Sequence, residues 1–149
     1  MKIKSKLFII AISPLLFFSC KKYPKLGNSV NKGEIIGSIE TSKCDYTMPD
    51  EVVIKTQAEL DTVFKNSCTN IPDTFDFVNY SIIGRTINGG GCGLKIIREV
   101  IINHVTRNYT YKICFKDKGI CFSKLSDYNL VLVPKIPDQY DVVFKVEED

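Results

Sequence analysis

An alternation of apolar and polar residues runs through most of the chain from Glu34 onward. A period of two is typical of β-strands that bury one face. The segment NYTYKICF shows the pattern most plainly, because it places four large side chains on one face: Tyr109, Tyr111, Ile113 and Phe115. The segments predicted to be strands are 34–40, 52–54, 80–87, 94–103, 108–115, 128–133 and 140–147.

The segment TQAELDTVFKN is predicted to be a helix, because its apolar residues follow a helical spacing. Three of them fall on one side of such a helix: Leu60, Val63 and Phe64. Thr56 and Glu59 match a capping box, in which the two side chains bond to backbone N–H groups that the first turn leaves free. The predicted helix covers residues 57–66.

Together these elements predict an α+β fold that is mainly antiparallel β, either a sandwich or a partly closed barrel, with one helix packed near residues 57–66. The 149 residues fit a single domain, and an apolar share of 44% is enough for an ordinary core. That domain is predicted to comprise residues 34–149. The segment that begins at Pro134, PKIPDQY, is predicted to be a turn before the last strand.

The stretch NGGGCG, residues 88–93, holds four of the nine glycines in the chain. Gly84 and Gly89 have the spacing of a phosphate-binding loop, but the lysine and hydroxyl residue of that loop are missing and a β-branched segment follows. The stretch therefore predicts no nucleotide site. It predicts a corner between two strands, because glycine accepts positive φ and close backbone approach. Should this corner bind anything, we expect a rigid loop shown to a protein partner by Asn88, Gly89, Gly90, Gly91 and Gly93.

Residues 1–19 are predicted to be a signal peptide. Three lysines precede an apolar run from Leu7 to Phe18, which is too short to span a bilayer. The run ends in Phe17-Phe18-Ser19-Cys20, which resembles the lipobox of bacterial lipoproteins. The resemblance implies cleavage before Cys20, acylation of its sulfur and its new amino group, and stable attachment to membrane lipid by more than one acyl chain.

The lipobox also implies a place in the cell. A protein with this anchor is attached to a cell membrane on its non-cytoplasmic side, and the absence of an aspartate after Cys20 favours the outer membrane of a diderm bacterium. Residues 20–33 are predicted to be the lipidated cysteine and a flexible tether, since they are polar, contain one proline and two glycines, and show no apolar period.

Loss of the signal peptide would change the charge balance. The chain has 20 basic and 17 acidic residues, and three of the lysines lie in the signal segment. The mature chain would therefore be near neutral. It lacks the concentrated basic face that nucleic acids require, so nucleic-acid binding is not predicted.

Five cysteines follow Cys20, and in an exported protein they are predicted to form a disulfide framework. The favoured arrangement joins Cys44 to Cys68 around the helix and Cys92 to Cys121 beside the glycine corner. Cys114 would then be the free thiol. A bridge between Cys114 and Cys121 is a competing arrangement.

The chain lacks the sequence patterns of common catalytic and metal sites. It contains no C-x-x-C pair, no Gly-x-Ser-x-Gly and only one histidine, His104, so neither a metal nor another cofactor is predicted. One enzymatic alternative is an envelope thiol-dependent enzyme or redox protein that uses Cys114 with His104.

A second resemblance covers about Val52 to Val146. The order of a helix, then FDFVNYSIIGRTINGGGCGLKIIREV, then a tyrosine-rich strand and YNLVLVPKIPDQYDVVF is similar to the PrcB C-terminal-like family, known from a lipoprotein subunit of a bacterial surface protease complex. The resemblance implies a small β-rich interaction domain with no catalytic residues to carry over. This chain departs from the family pattern in its five cysteines and in the Gly91-Cys92-Gly93 segment.

The function expected from the sequence is that of a lipid-anchored, non-catalytic binding or accessory module of the cell envelope. Its partner would be a protein, such as a protease. Beside the thiol-dependent enzyme, a further alternative is an immunity or envelope-maintenance lipoprotein with no small-molecule site.

Overall fold

The computed structural model describes residues 30–41, 49–64, 68, 71, 74–120 and 125–149. The elements within them are β1 (Val30–Lys32), β2 (Gly37–Ile39), β3 (Glu51–Ile54), α1 (Gln57–Phe64), β4 (Tyr80–Gly89), β5 (Gly93–Asn103), β6 (Asn108–Lys118), β7 (Leu125–Pro134) and β8 (Asp141–Glu148). The predicted strand at 34–40 is reduced to the three residues of β2. Strand β6 extends beyond the predicted 108–115 and continues through Lys118.

Two four-stranded sheets form the body of the protein. Sheet 1 has the order β1-β5-β6-β8, and sheet 2 has the order β2-β7-β4-β3. Neighbouring strands are antiparallel except β6 and β8, which are parallel. The predicted α+β class is confirmed, and of the two predicted architectures the sandwich is the one found. The sheets do not close into a barrel, since no strand pairing in the described residues joins one sheet to the other.

The main core lies between the two sheets. Sheet 1 contributes the face that the alternation of NYTYKICF predicted to be buried, and Tyr111 and Ile113 are fully inaccessible to solvent. The buried residues of this core are Ile83, Ile87, Val100, Tyr109, Tyr111, Ile113, Phe115, Val131, Val133 and Ile136. Strand β8 and the residue before it complete the packing, because Val142, Phe144 and Tyr140 lie against this cluster.

A second core lies between sheet 2 and α1. Leu60 and Phe64 of the helix are buried against a face of β3, β4 and β7 that presents Val52, Ile54, Ile82 and Leu130. The predicted helix is therefore confirmed over Gln57–Phe64, and the face that it buries is the predicted one. Residues 65–67, where its end was expected, lie outside the described part of the chain.

The predicted capping box fixes where α1 begins. The Glu59 N–H donates to Thr56 Oγ1 at 3.3 Å, and Glu59 Oε2 accepts the Thr56 N–H at 3.0 Å. The same carboxylate oxygen also accepts the N–H of Lys55 at 2.6 Å. The box thus ties the helix to the residue that directly follows β3.

The folded domain begins earlier than predicted, so the boundary at residue 34 was wrong. Val30–Lys32, expected in the tether, pairs with β5. The Gly33 N–H donates to the Val100 C=O at 2.8 Å, and a Cβ on Gly33 would lie 2.5 Å from the Val100 side chain. Three residues are too short to show an alternation, and an edge strand requires only backbone pairing. The sequence pattern therefore could not reveal β1.

One polar bridge crosses the interior of the sandwich. Arg98, on the inner face of sheet 1, donates from Nε and Nη2 to Asn129 Oδ1 at 2.8 and 2.6 Å. Its Nη1 donates to Ser38 Oγ at 3.2 Å, so the guanidinium holds two strands of sheet 2. The Tyr111 hydroxyl donates to the Asn129 C=O at 3.4 Å. Buried polar groups require such partners, and here the partners belong to the opposite sheet.

We expect Gly84→Ala to lower the free energy of unfolding by about 1–3 kcal/mol, as overpacking of a filled core does. A Cβ on Gly84 would overlap Leu130 Cδ2 and approach Val52 Cγ2 to 3.1 Å. The matched control is Gly37→Ala, because a Cβ there meets no atom within 4 Å. Denaturant unfolding of both variants checks this, and equal midpoints would contradict it.

We expect an alkaline loss of stability that depends on Tyr111. Burial raises the pKa of Tyr111 above its ordinary value of 10.0, and the nearby Arg98 charge lowers it only in part. Because the pKa is higher in the folded state, the contribution of Tyr111 to the free energy of unfolding is complete below pH 10. This contribution is lost as the pH rises above that value. The free energy of unfolding of Tyr111→Phe should fall less steeply above pH 10 than that of the unaltered protein. Parallel pH profiles from denaturant unfolding would refute this.

Candidate functional site

The glycine stretch is the corner where the chain passes from one sheet to the other. Gly89 ends β4, an inner strand of sheet 2, and Gly93 begins β5, an inner strand of sheet 1. The predicted strand-to-strand corner is therefore confirmed. The structure adds that the two strands belong to different layers, which the sequence did not show.

Backbone contacts with the end of β6 hold this corner. The Cys92 N–H donates to the Lys118 C=O at 2.6 Å, and the Gly90 N–H donates to Asp117 Oδ2 at 2.9 Å. Gly91 has a φ of 81°, and a Cβ on it would lie 2.7 Å from the Lys118 carbonyl oxygen. Both the sign of φ and the close approach require glycine at this position.

Much of the corner is buried or hydrogen-bonded within the domain. Gly91 is buried and Gly89 and Gly90 are half-buried, whereas Asn88 and Cys92 are exposed. The N–H groups of Gly90 and Cys92 already have acceptors within the domain. A partner could therefore reach only the exposed rim of the loop, and the role of the corner in recognition stays a prediction.

Cys114 is disulfide-bonded, so its assignment as the free thiol was wrong. Its side chain is 5% exposed on the outer face of sheet 1. Cys68 and Cys92 are also disulfide-bonded, as predicted, although Cys20, Cys44 and Cys121 lie outside the described residues. The pairings Cys44–Cys68 and Cys92–Cys121 are consequently not tested. The sequence could not assign Cys114, because connectivity depends on which strands become neighbours.

His104 and Cys114 do not form a catalytic pair. His104 lies in the turn between β5 and β6, while Cys114 is six residues along β6 from Asn108, a separation of roughly 20 Å at the rise of a strand. The imidazole instead contacts the Tyr140 hydroxyl through Nδ1 at 2.9 Å and the Asn31 amide nitrogen through Nε2 at 3.1 Å. These contacts connect the β5–β6 turn to β1 and to the start of β8.

Asp76 holds the turn that precedes β4. Its carboxylate accepts the N–H groups of Val78 and Asn79 at 3.1 and 3.2 Å and the Asn79 side-chain amide at 2.8 Å. The Asn79 amide lowers the pKa of this carboxyl below its ordinary value, and the two backbone N–H groups act in the same direction.

A groove of about 430 Å³ lies between β3 and α1. Its lining residues are Pro49, Glu51, Val52, Val53, Ala58, Glu59, Thr62 and Val63. The lining combines apolar side chains with two carboxylates and contains no basic side chain. We treat this groove as the candidate binding site, because it joins a concave surface to the edge of a sheet.

Among the described residues, the wall of the groove formed by β3 is a free sheet edge. Strand β3 pairs with β4 on one side only, and it is the last strand of sheet 2 in the described part of the chain. The sequence pattern predicted the strand at 52–54 but not its position in the sheet. Alternation reports which face of a strand is buried and carries no information about strand order.

Within the described residues, no group of three or more His, Cys, Asp or Glu side chains is arranged to hold a metal ion. The one helix in that part of the chain is too short to cross a membrane. Comparison with protein-family models, with curated proteins and with solved structures yields no match.

We expect Gly91→Ala to lower the free energy of unfolding by about 2 kcal/mol, because an L-residue in the left-handed region costs about 1–2 kcal/mol before any clash is added. Gly93→Ala is the matched control in the same corner, since a Cβ on Gly93 meets no atom within 4 Å. Thermal or denaturant unfolding compares the two variants. If Gly93→Ala proves as harmful as Gly91→Ala, this account of the corner is wrong.

Proposed function

We propose that this protein is a lipid-anchored module of the cell envelope that binds a protein partner and carries out no catalysis itself. The anchor is Cys20, and the binding surface is the groove between β3 and α1. The observation that supports protein binding is the free edge that β3 forms in the described part of the chain. This edge places unpaired backbone groups beside a concave surface.

The lipobox supports the anchor. Phe17-Phe18-Ser19-Cys20 combines apolar residues, a small residue and a cysteine after a basic start and an apolar run. Strand β1 begins ten residues after Cys20, so the folded domain follows the proposed lipid attachment closely in sequence. This arrangement suits a domain that works next to a membrane surface.

The arrangement of reactive side chains favours binding over catalysis. Cys114 is disulfide-bonded, and His104 is occupied by contacts with Asn31 and Tyr140. The half-buried Arg98 is directed to Asn129 and Ser38 in the opposite sheet. Each of these groups therefore has a structural partner, and the groove offers apolar surface and carboxylates.

The resemblance to the PrcB C-terminal-like family supports a protein as the partner, and a protease of the envelope as the first candidate. A sandwich with one packed helix agrees with the small β-rich interaction domain that the resemblance implies. The proposal of a binding role depends on the groove as well as on this resemblance.

Replacement of Cys20 tests the anchor. We expect Cys20→Ala to lose metabolic labelling by an alkyne analogue of palmitate and to leave the membrane fraction, because the proposed acyl chains are its attachment to lipid. The matched control is Lys21→Ala, which changes the neighbouring residue and keeps every cysteine, so its labelling and membrane association should equal those of the unaltered protein. Unchanged labelling and membrane association of Cys20→Ala would overturn the proposed anchor.

The same strains test the binding role. Cross-linking of whole envelopes, followed by affinity capture of the unaltered protein, should recover a specific protein partner, with reduced recovery from Cys20→Ala because the protein has left the membrane. Capture of no protein above the level of an untagged strain would overturn the binding role.

A further inference from the structure

We propose that β3 binds an extended segment of the partner as an additional strand, and that this segment alternates basic and apolar side chains. The inference rests on the proposed binding function and names the chemistry of the partner. It follows from the free backbone groups of β3, from the groove beside them and from the charge of the lining.

The backbone groups available on β3 are those of Glu51 and Val53. The Thr86 N–H of β4 donates to the Asp50 C=O at 2.9 Å, which marks Asp50 and Thr86 as a hydrogen-bonded pair. Such pairs alternate along an antiparallel ladder, so Val52 and Ile54 also bond to β4. The N–H and C=O groups of Glu51 and Val53 consequently point away from β4.

The helix marks where this free edge ends. Lys55 has the same parity as Glu51 and Val53, and its N–H, which points to the same side, donates to Glu59 Oε2 at 2.6 Å. The first turn of α1 therefore takes up the next edge group. Two donors and two acceptors, those of Glu51 and Val53, remain for a short added strand. Strand addition of this kind is an established mode of peptide recognition.

Side chains of an added strand would alternate between two environments. Glu51 and Val53 point toward the sandwich side of β3, whereas Val52 points toward α1. A residue of the peptide that faces α1 would meet Ala58, Thr62 and Val63, which favours a small apolar side chain. Its neighbours would face the Glu51 side.

Charge selects a basic segment over an acidic one. The lining holds Glu51 and Glu59, and no lysine or arginine belongs to it. Glu51 is paired with Arg85, whose side chain is 31% exposed, and Glu59 caps α1, yet each carboxylate keeps lone pairs for a further donor. The exposed Asp61 lies on the same helix and adds to the negative potential. Lysine side chains on the Glu51 side of the segment would meet this potential.

Strand β8, an edge strand of sheet 1, is less suited to strand addition. It alternates charged residues with apolar ones and carries both signs, with Asp141, Lys145 and Glu147 on its outer face. Charges of this kind are a common protection of edge strands. No such charge lies in the middle of β3, where Val52 and Val53 stand.

The probe is an acetylated and amidated pentapeptide, Lys-Val-Lys-Val-Lys, with a fluorescent label, and the protein is the full chain in detergent. Its valines would face α1 and its lysines the Glu51 side. We expect saturable binding by fluorescence anisotropy. We also expect slower hydrogen exchange in the backbone of residues 50–55 when the peptide is bound. A peptide of the same pattern with glutamate in place of lysine should bind at least about tenfold more weakly because of like-charge repulsion.

Val53→Pro tests the backbone contact directly. Proline removes the N–H that points to the free edge and leaves the ladder with β4 intact, a position that edge strands tolerate. Affinity for the lysine peptide should fall about tenfold, the loss of one hydrogen bond that leaves an unpaired group. The matched control is Val146→Pro on β8. Asp141 and Asp149 donate to the turn before β6 and to β6 itself, and Val146 has the opposite parity, so its N–H points away from β6.

A second variant keeps the test decisive if Val53→Pro does not fold. Ala58 is exposed and lines the groove, so Ala58→Arg fills it without disturbing the core. Asp61→Ala changes the net charge by the same amount on the same helix but outside the lining. We expect the first to abolish binding and the second to weaken it less than threefold, because screened surface charge has a small effect.

Three results would overturn the inference: no saturable binding, unchanged exchange in residues 50–55, or equal binding by the unaltered protein and by Ala58→Arg. They are separable from failure of the proposed function. If envelope cross-linking captures the same partner with Ala58→Arg as with the unaltered protein, the binding role stands and the β3 edge is not its site. If neither captures a partner, the proposed function itself fails.

Discussion

The passage of the chain between Gly89 and Gly93 is the constraint on which the sandwich depends. It joins β4 and β5, which are inner strands of different sheets, and so it sets the inner faces of the two sheets against each other. The turn fits because Gly91 adopts a positive φ and approaches the carbonyl of Lys118 too closely for any Cβ. The same carbonyl accepts the Cys92 N–H, so the end of β6 is fixed to the corner. The glycine stretch, whose sequence resembles a ligand-binding loop, therefore serves in the folded protein as the connection between the two sheets.

The interior that this connection creates is mainly apolar, and the Arg98–Asn129 contact is the polar bridge between its two sheets. Tyr111, Ile113 and Val131 are fully buried, and hydrophobic burial of this kind is non-directional. Such packing alone would allow the sheets to slide against each other by small amounts. Hydrogen bonds from Arg98 to Asn129 and Ser38 are directional and, because the donor is charged, worth about 1.5–3 kcal/mol each when well formed. They give the two layers a fixed relative position that the aliphatic contacts do not specify.

The helix has two effects on sheet 2. It covers the outer face of β3, β4 and β7 through Leu60 and Phe64, and it occupies the end of the free edge through the bond from Lys55 to Glu59. The capping box is thus a local feature with a nonlocal consequence, because the carboxylate that starts the helix also limits the length of open strand beside it. What is left is a short edge, a groove and two carboxylates. This combination is small enough to be safe from edge-to-edge association and distinct enough to select a partner.

The sequence by itself determined most of the elements and their buried faces. The alternation around Tyr111, the helical stripe of Leu60 and Phe64, and the Thr56–Glu59 cap each depend on neighbours within a few residues, so they could be read directly along the chain. The tertiary structure decided what depends on distant neighbours: the membership of β1 in sheet 1, the disulfide state of Cys114, the separation of His104 from it, and the place of β3 at an edge beside α1. Strand order and side-chain proximity arise from packing between segments far apart in sequence. A period of two records which way a side chain points, and it cannot record which strand lies next to it.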